Sequence, residues 1–115
     1  MFRELQIGEK TVGMVANAAT PYRYKQVHGE DLLPYFSGKR TEEDQSLMIM
    51  QLAYVMAMQA EGNDFKKLNF DTYLEWLTQF DAMDLMGGKI AGELLAIYTE
   101  NTKTFSEPKK NKGRR

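Results

Sequence analysis

The stretch Thr41–Glu61, TEEDQSLMIMQLAYVMAMQAE, decides the fold. Between Leu47 and Met58 its one plainly polar residue is Gln51. Thr41 followed by Glu42, Glu43 and Asp44 reads as an N-cap with acids over the first turn. The threonine oxygen satisfies free backbone N–H groups, and negative charge meets the positive end of the helix dipole. Gly62-Asn63 supplies the stop, since both residues tolerate the left-handed conformation that closes a helix. A helix that is apolar on nearly every side must be wrapped by other elements. The run falls short of the roughly 20 residues of a membrane span. It therefore reads as the central core helix of a small soluble domain, with its methionines as core filler. Methionine also serves adaptable binding surfaces, and the chain holds eight.

Upstream, Met1 to Ala16 reads as a β-hairpin. Leu5 and Ile7 alternate with Glu4 and Gln6; Val12, Met14 and Ala16 alternate with Thr11, Gly13 and Val15. A glycine first in the two-residue loop Gly8-Glu9 suits a type II′ turn. An isolated hairpin is barely stable, so one face must pack on helices. Thr20-Pro21 reads as a helix start, threonine capping and proline in the first helical position, with the helix ending at Gly29. A short segment from Glu30 to Phe36, interrupted by Pro34, and a loop through Arg40 lead to the central helix. Tyr22, Tyr24 and Val27 straddle the packed side and the surface.

Downstream, Phe65 and Leu68 anchor the connector Asn63 to Asn69. Asp71 is expected to cap the next helix, where Phe70, Tyr73, Leu74, Leu77 and Phe80 recur at helical spacing. Trp76 and Phe80, four apart, should lie side by side. After a break at Asp81 to Asp84, the last helix is expected from Leu85 to Glu100, with Met86, Ile90, Leu94, Ile97 and Tyr98 on one stripe. Its glycines Gly87, Gly88 and Gly92 each cost about 1 kcal/mol relative to alanine, which points to close helix–helix approach as the offset. Thr102 to Arg115 has no apolar period and reads as a disordered basic tail. The expected architecture is α+β and predominantly α. It comprises a single domain over residues 1–101, with an N-terminal hairpin packed on a four- to five-helix bundle, and a tail over 102–115.

At 115 residues the chain suffices for one domain with its own core. The absence of cysteine excludes disulfides, thiolate metal sites and a cysteine nucleophile, and it suits a reducing cytoplasm. The start, MFREL, lacks the charged-then-apolar pattern of a secretion signal. The net charge of −1 hides an asymmetry. Residues 1–104 carry ten Lys+Arg against fifteen Asp+Glu, a body of −5; the last eleven carry five bases and one acid, a tail of +4. An acidic body argues against a nucleic-acid surface on the domain.

Little points to catalysis. His28, the single histidine, stands beside a glycine and reads as a surface or helix-end residue. The acids Glu30-Asp31 and Glu42-Glu43-Asp44 are without further ligands at metal spacing. Gly87-Gly88-Lys89 lacks the earlier glycine and following Ser/Thr of a phosphate loop. No catalytic, cofactor-binding or metal-binding residues are therefore assigned, and no cofactor is expected. The basic residues Lys109, Lys110, Lys112, Arg114 and Arg115 read either as a nucleic-acid contact or as a solvated tail.

Several stretches in order resemble one family: LQIGEKTVGMVANA, ATPYRYKQVHGEDLL, LAYVMAMQA, TYLEWLTQF and a lysine-rich end. The chain is similar to the tail assembly chaperones of long-tailed bacteriophages and derived prophages, in their short, non-frameshifted form. The similarity spans Phe2 to about Asn101. Its most specific piece is Ala19-Thr20-Pro21 with Tyr24-Lys25-Gln26, followed by Gly29-Glu30-Asp31-Leu32. Gly87-Gly88 departs from the family, which carries ordinary helix formers there. The resemblance implies a non-enzymatic protein of the bacterial host cytoplasm. Such a protein binds the tape-measure protein, keeps it soluble during tail assembly, and is absent from the mature virion. It also implies a longer form made by programmed frameshifting, which meets the tail-tube protein; Lys109-Lys110 is a candidate slippery site. A homo-oligomer is expected, with no membrane partner. Candidate partner-binding residues are Tyr22, Tyr24, Trp76 and Phe80, with core packing as the other reading of Trp76 and Phe80. The alternative is a small helical DNA-binding or regulatory protein using the basic tail, against which the acidic body weighs.

Overall fold

Helix α2 (Glu42–Glu61) is set by its ends. The Thr41 backbone is extended, and its hydroxyl accepts a hydrogen bond from the Asp44 N–H at 3.1 Å. At the far end Gly62 adopts φ +74°. The Asn63 N–H reaches back to the Met58 carbonyl and the Gly62 N–H to Gln59, a Schellman closure that uses the orphan carbonyls of the last turn. The computed structural model describes residues 2–37 and 41–106. In it α2 is buried continuously from Leu52 to Met58, and Met48, Ile49 and Met50 are buried too. The wrapping comes from the hairpin and from the helices α1 (Thr20–His28), α3 (Phe70–Leu77), α4 (Ala82–Met86) and α5 (Gly88–Ser106).

The hairpin pairs β1 (Phe2–Ile7) with β2 (Lys10–Val15) antiparallel, Ile7 opposite Lys10, which leaves Gly8-Glu9 as the loop. Among the described residues the positive backbone angles belong to glycine alone, so Gly8 at φ +62° begins the turn and Glu9 does not share its conformation. That is the II′ pattern. Leu5, Ile7 and Met14 point inward and are buried, with Ala16 just beyond β2. The fold is α+β and mainly helical, with an N-terminal hairpin and five α-helices among the described residues.

Three helix starts differ from expectation. Helix α1 has Ala19, not Thr20, in the N-cap position, with no side-chain cap. Thr20 lies inside the helix, fully buried, and its hydroxyl accepts from the Asn17 N–H at 2.9 Å. Asn17 in turn accepts from the Ala19 N–H at 2.9 Å, an Asx turn that fixes the chain's approach to the helix without capping its first N–H groups. Helix α3 is capped by Asn69 rather than Asp71. The Asn69 side chain accepts from the Thr72 N–H and the Thr72 hydroxyl accepts from the Asn69 N–H, a reciprocal box that Asp71, inside the first turn, does not form. The last helix is two helices: Gly87, at ψ 146°, leaves the helical region and separates α4 from α5.

The glycines do not mark close packing. Among the described residues a side chain at Gly88 or Gly92 would meet nothing within 4 Å, and at Gly87 only the Met83 carbonyl. Expected helix–helix approach is thus absent at these positions, and Gly87 serves the break instead. Ile90, Leu94, Ile97 and Tyr98 are buried as the stripe required, whereas Met86, ahead of the break, is exposed. Helix α5 also runs on to Ser106, through residues assigned to the tail. Once nucleated, a helix propagates one hydrogen bond per residue, and 102–106 contain neither glycine nor proline to stop it. Residues 107–115, with Lys109, Lys110, Lys112, Arg114 and Arg115, lie outside the described residues, as does the loop over 38–40.

Candidate protein-binding surfaces

The four aromatic candidates divide between surface and interior. Tyr24 is fully buried: its ring enters the core and its hydroxyl donates at 2.6 Å to Oε1 of Gln51, the one plainly polar residue between Leu47 and Met58 of α2. Tyr24 is therefore removed from the partner-contacting set, because a residue with no exposure cannot meet a partner without unfolding α1. Tyr22, two residues earlier on the opposite face, is 79% exposed.

Tyr22 stands on the rim of an apolar groove of about 660 Å³ between α1 and the 3₁₀ turn Leu33–Ser37. Pro21 and Ala18 line one wall, Leu33 and Pro34 the other, and Leu32 forms the buried floor. The Lys25 ammonium and the Asp31 carboxylate, 3.2 Å apart, lie along it. Prolines make the walls stiff, so little entropy is lost when a ligand settles between them. The turn is itself held in place: the Tyr35 hydroxyl donates to Glu30 Oε1, and the Gln45 amide of α2 donates to the Tyr35 carbonyl.

Trp76 and Phe80 do lie side by side, ring centroids 4.8 Å apart at 61°. Both are half-buried. Trp76 is braced from within by Tyr54, 5.4 Å away, and the pair lines a cleft of about 440 Å³ against Lys10–Gly13 of β2. Each ring thus has one edge packed toward the core and one facing solvent. Tyr22 and the Trp76–Phe80 pair line separate clefts.

Sequence reasoning missed Leu33, Met83, Phe70 and Leu74, all substantially exposed. Phe70 and Leu74, four apart, form a second apolar stripe on α3, while Tyr73 on the other is buried. Apolar residues on two faces of an eight-residue helix were the available signal, since only one face can meet the core.

His28, at the end of α1, sits in an aromatic box, its ring 4.8 Å from those of Tyr24 and Tyr73. Nε2 lies 3.1 Å from the Gln51 carbonyl. A carbonyl only accepts, so Nε2 carries the proton, and the neutral ring leaves Nδ1 as a bare acceptor. Nδ1 is buried without a partner among the described residues. Burial lowers the His28 pKa to about 4, against the smaller opposing pull of the Gln51 carbonyl. Burial also raises Tyr73, and Tyr54 despite its hydrogen bond with Thr72. The box lies between α1, α2 and α3 and ties the three helices together through its ring contacts.

Among the described residues no group of three or more His, Asp or Glu side chains is placed to hold a metal ion. None of their helices is long and apolar enough to cross a membrane. Comparison with protein-family models, curated proteins and solved structures finds no match to this chain.

Proposed function

We propose that this protein is a tail assembly chaperone of a long-tailed bacteriophage or prophage, which binds the helical tape-measure protein and keeps it soluble in the host cytoplasm. The reading is non-enzymatic, and it rests on the resemblance of the quoted stretches together with one structural observation. That observation is the Tyr22 groove: a stiff, proline-walled apolar cleft with an aromatic ring standing in solvent on its rim. Amphipathic helices are recognised by laying apolar anchors into grooves of this kind. The Trp76–Phe80 ledge is a second contact on the same molecule, and assembly of several copies would present such clefts repeatedly along an elongated partner. In this reading the protein leaves before the virion is complete, and a longer frameshifted form contacts tail-tube protein.

The test is co-expression with the large helical protein encoded downstream. The partner is expected in the soluble fraction with this chain and in the insoluble fraction without it. Tyr22→Ala is expected to weaken binding roughly tenfold or more, the effect of an aromatic anchor, with unchanged thermal stability. Equal partner solubility with and without the chain would sink the proposal.

A further inference from the structure

A second groove, of about 470 Å³, runs between β1 and the stretch of α5 from Glu93 to Glu100. Its floor is apolar, made by the buried Leu5 and Ile97, and its rims are acidic, carrying Glu4, Glu93 and Glu100. Arg3 pairs with Glu100 at 2.8 Å, while Glu4 and Glu93 form no ion pair among the described residues. Among the described residues the groove therefore carries two carboxylates without an ion-pair partner, Glu4 and Glu93, over an apolar base. It also runs along an edge of β1 that no other strand pairs among the described residues. In a hairpin with a two-residue loop the closing pair, Ile7 and Lys10, is hydrogen-bonded, so alternation turns the peptide groups of Glu4 away from β2. An unpaired edge is a template for another extended segment.

We propose that the C-terminal segment of this same chain, residues 107–115, docks in this groove. The segment reads EPKKNKGRR, with five bases against one acid. Its charge complements the rims, and its polarity suits the rims rather than the Tyr22 groove. Reach permits the return. From Glu93 to Ser106 helix α5 rises about 20 Å at about 1.5 Å per residue. Nine extended residues span about 30 Å, and Pro108 disfavours continuation of the helix. A chain reversing there brings Lys109, Lys110 and Lys112 back along α5 toward Glu93 and Glu4. Tethering holds the segment at an effective concentration on the order of millimolar, which favours the chain's own groove over that of a second molecule. The docked segment would cover the β1 edge and neutralise the acidic rims.

The experiment uses the full chain. Amide spectra of the wild type and of the variant K109Q/K110Q/K112Q are compared at low salt. Differences concentrated at residues 3–6 and 93–100 are expected, and they should vanish at about 0.5 M salt, where screening shortens to a few ångströms. No difference outside the tail, or the largest difference at another acidic region such as Glu42–Asp44, overturns the proposal. Carbodiimide coupling in an equal mixture of heavy-isotope-labelled and unlabelled chains distinguishes the docking partner. Lys109, Lys110 or Lys112 joined to Glu4 or Glu93 within one chain is the expected product. Links between labelled and unlabelled chains would move the segment to a second copy and overturn docking within the chain.

Discussion

Helices α2 and α4 both carry methionine, and they use it in opposite ways. Met48, Met50, Met56 and Met58 of α2 are buried, while Met83 of α4 is 80% exposed and Met86 is nearly half exposed. The difference lies in the neighbours. Helix α2 is surrounded by the hairpin and the other helices, so a side chain leaving in almost any direction meets another element. Helix α4 is a five-residue bridge between a turn and the Gly87 break, and it buries only Leu85. Residue type sets what a side chain tolerates; the number of elements around it sets what it does. In α2 methionine fills irregular space, and in α4 the same flexible thioether is left in solvent.

The comparison breaks most readily at Met56, which is fully buried. Met56→Ala removes packed atoms from the centre of the domain and is expected to cost about 2–5 kcal/mol, read as a lowered urea midpoint. A cost below about 0.5 kcal/mol, the usual range for surface changes, would show that α2 is not the enclosed element described above.

The interior around α2 is also sensitive to protonation. The folded-state pKa of His28, about 4, lies below the ordinary 6.5. Between these values the unfolded chain takes up a proton that the folded chain refuses, so stability rises with pH from about 4 to about 6.5 and is complete above that. Acidification through this window should therefore remove about 1–3 kcal/mol through His28. His28→Phe keeps an aromatic ring in the box and should flatten this part of the profile. Parallel wild-type and variant curves of urea midpoint against pH would exclude His28 as the source.

What could be read in advance follows the same division. Helix α2 was legible because its signals are local: Thr41, the acids after it, Gly62 and an apolar circumference. The hairpin was legible for the same reason, through strict alternation and Gly8 between the runs. Tyr24 was not separable from Tyr22, because its burial depends on a hydrogen bond to Gln51, twenty-seven positions away. Asp71 was expected as the cap, yet the reciprocal bond depends on Thr72 standing three residues after Asn69. The Tyr22 groove was invisible as a cleft, since its two walls come from separate elements whose approach no periodicity reports.

Gly92 sharpens the contrast from the exposed side. It lies within α5 with nothing among the described residues within 4 Å of a would-be side chain, and its backbone angle is not positive. Gly92→Ala should therefore stabilise the protein by about 1 kcal/mol, the helix-propensity difference. Destabilisation would reinstate the close helix contact that the structure lacks.

The smallest effect belongs to Met83. Met83→Ala deletes a solvent-facing side chain and is expected to change stability by less than about 0.5 kcal/mol. If α4 is a partner surface, as its exposed thioethers suggest, the same variant should weaken tape-measure binding severalfold while the urea midpoint stays fixed. Met56→Ala would lower the midpoint first and affect binding only through loss of folded protein. A midpoint shift at Met83 matching that at Met56 would mean that α4 is covered by packing after all, and the two uses of methionine would collapse into one.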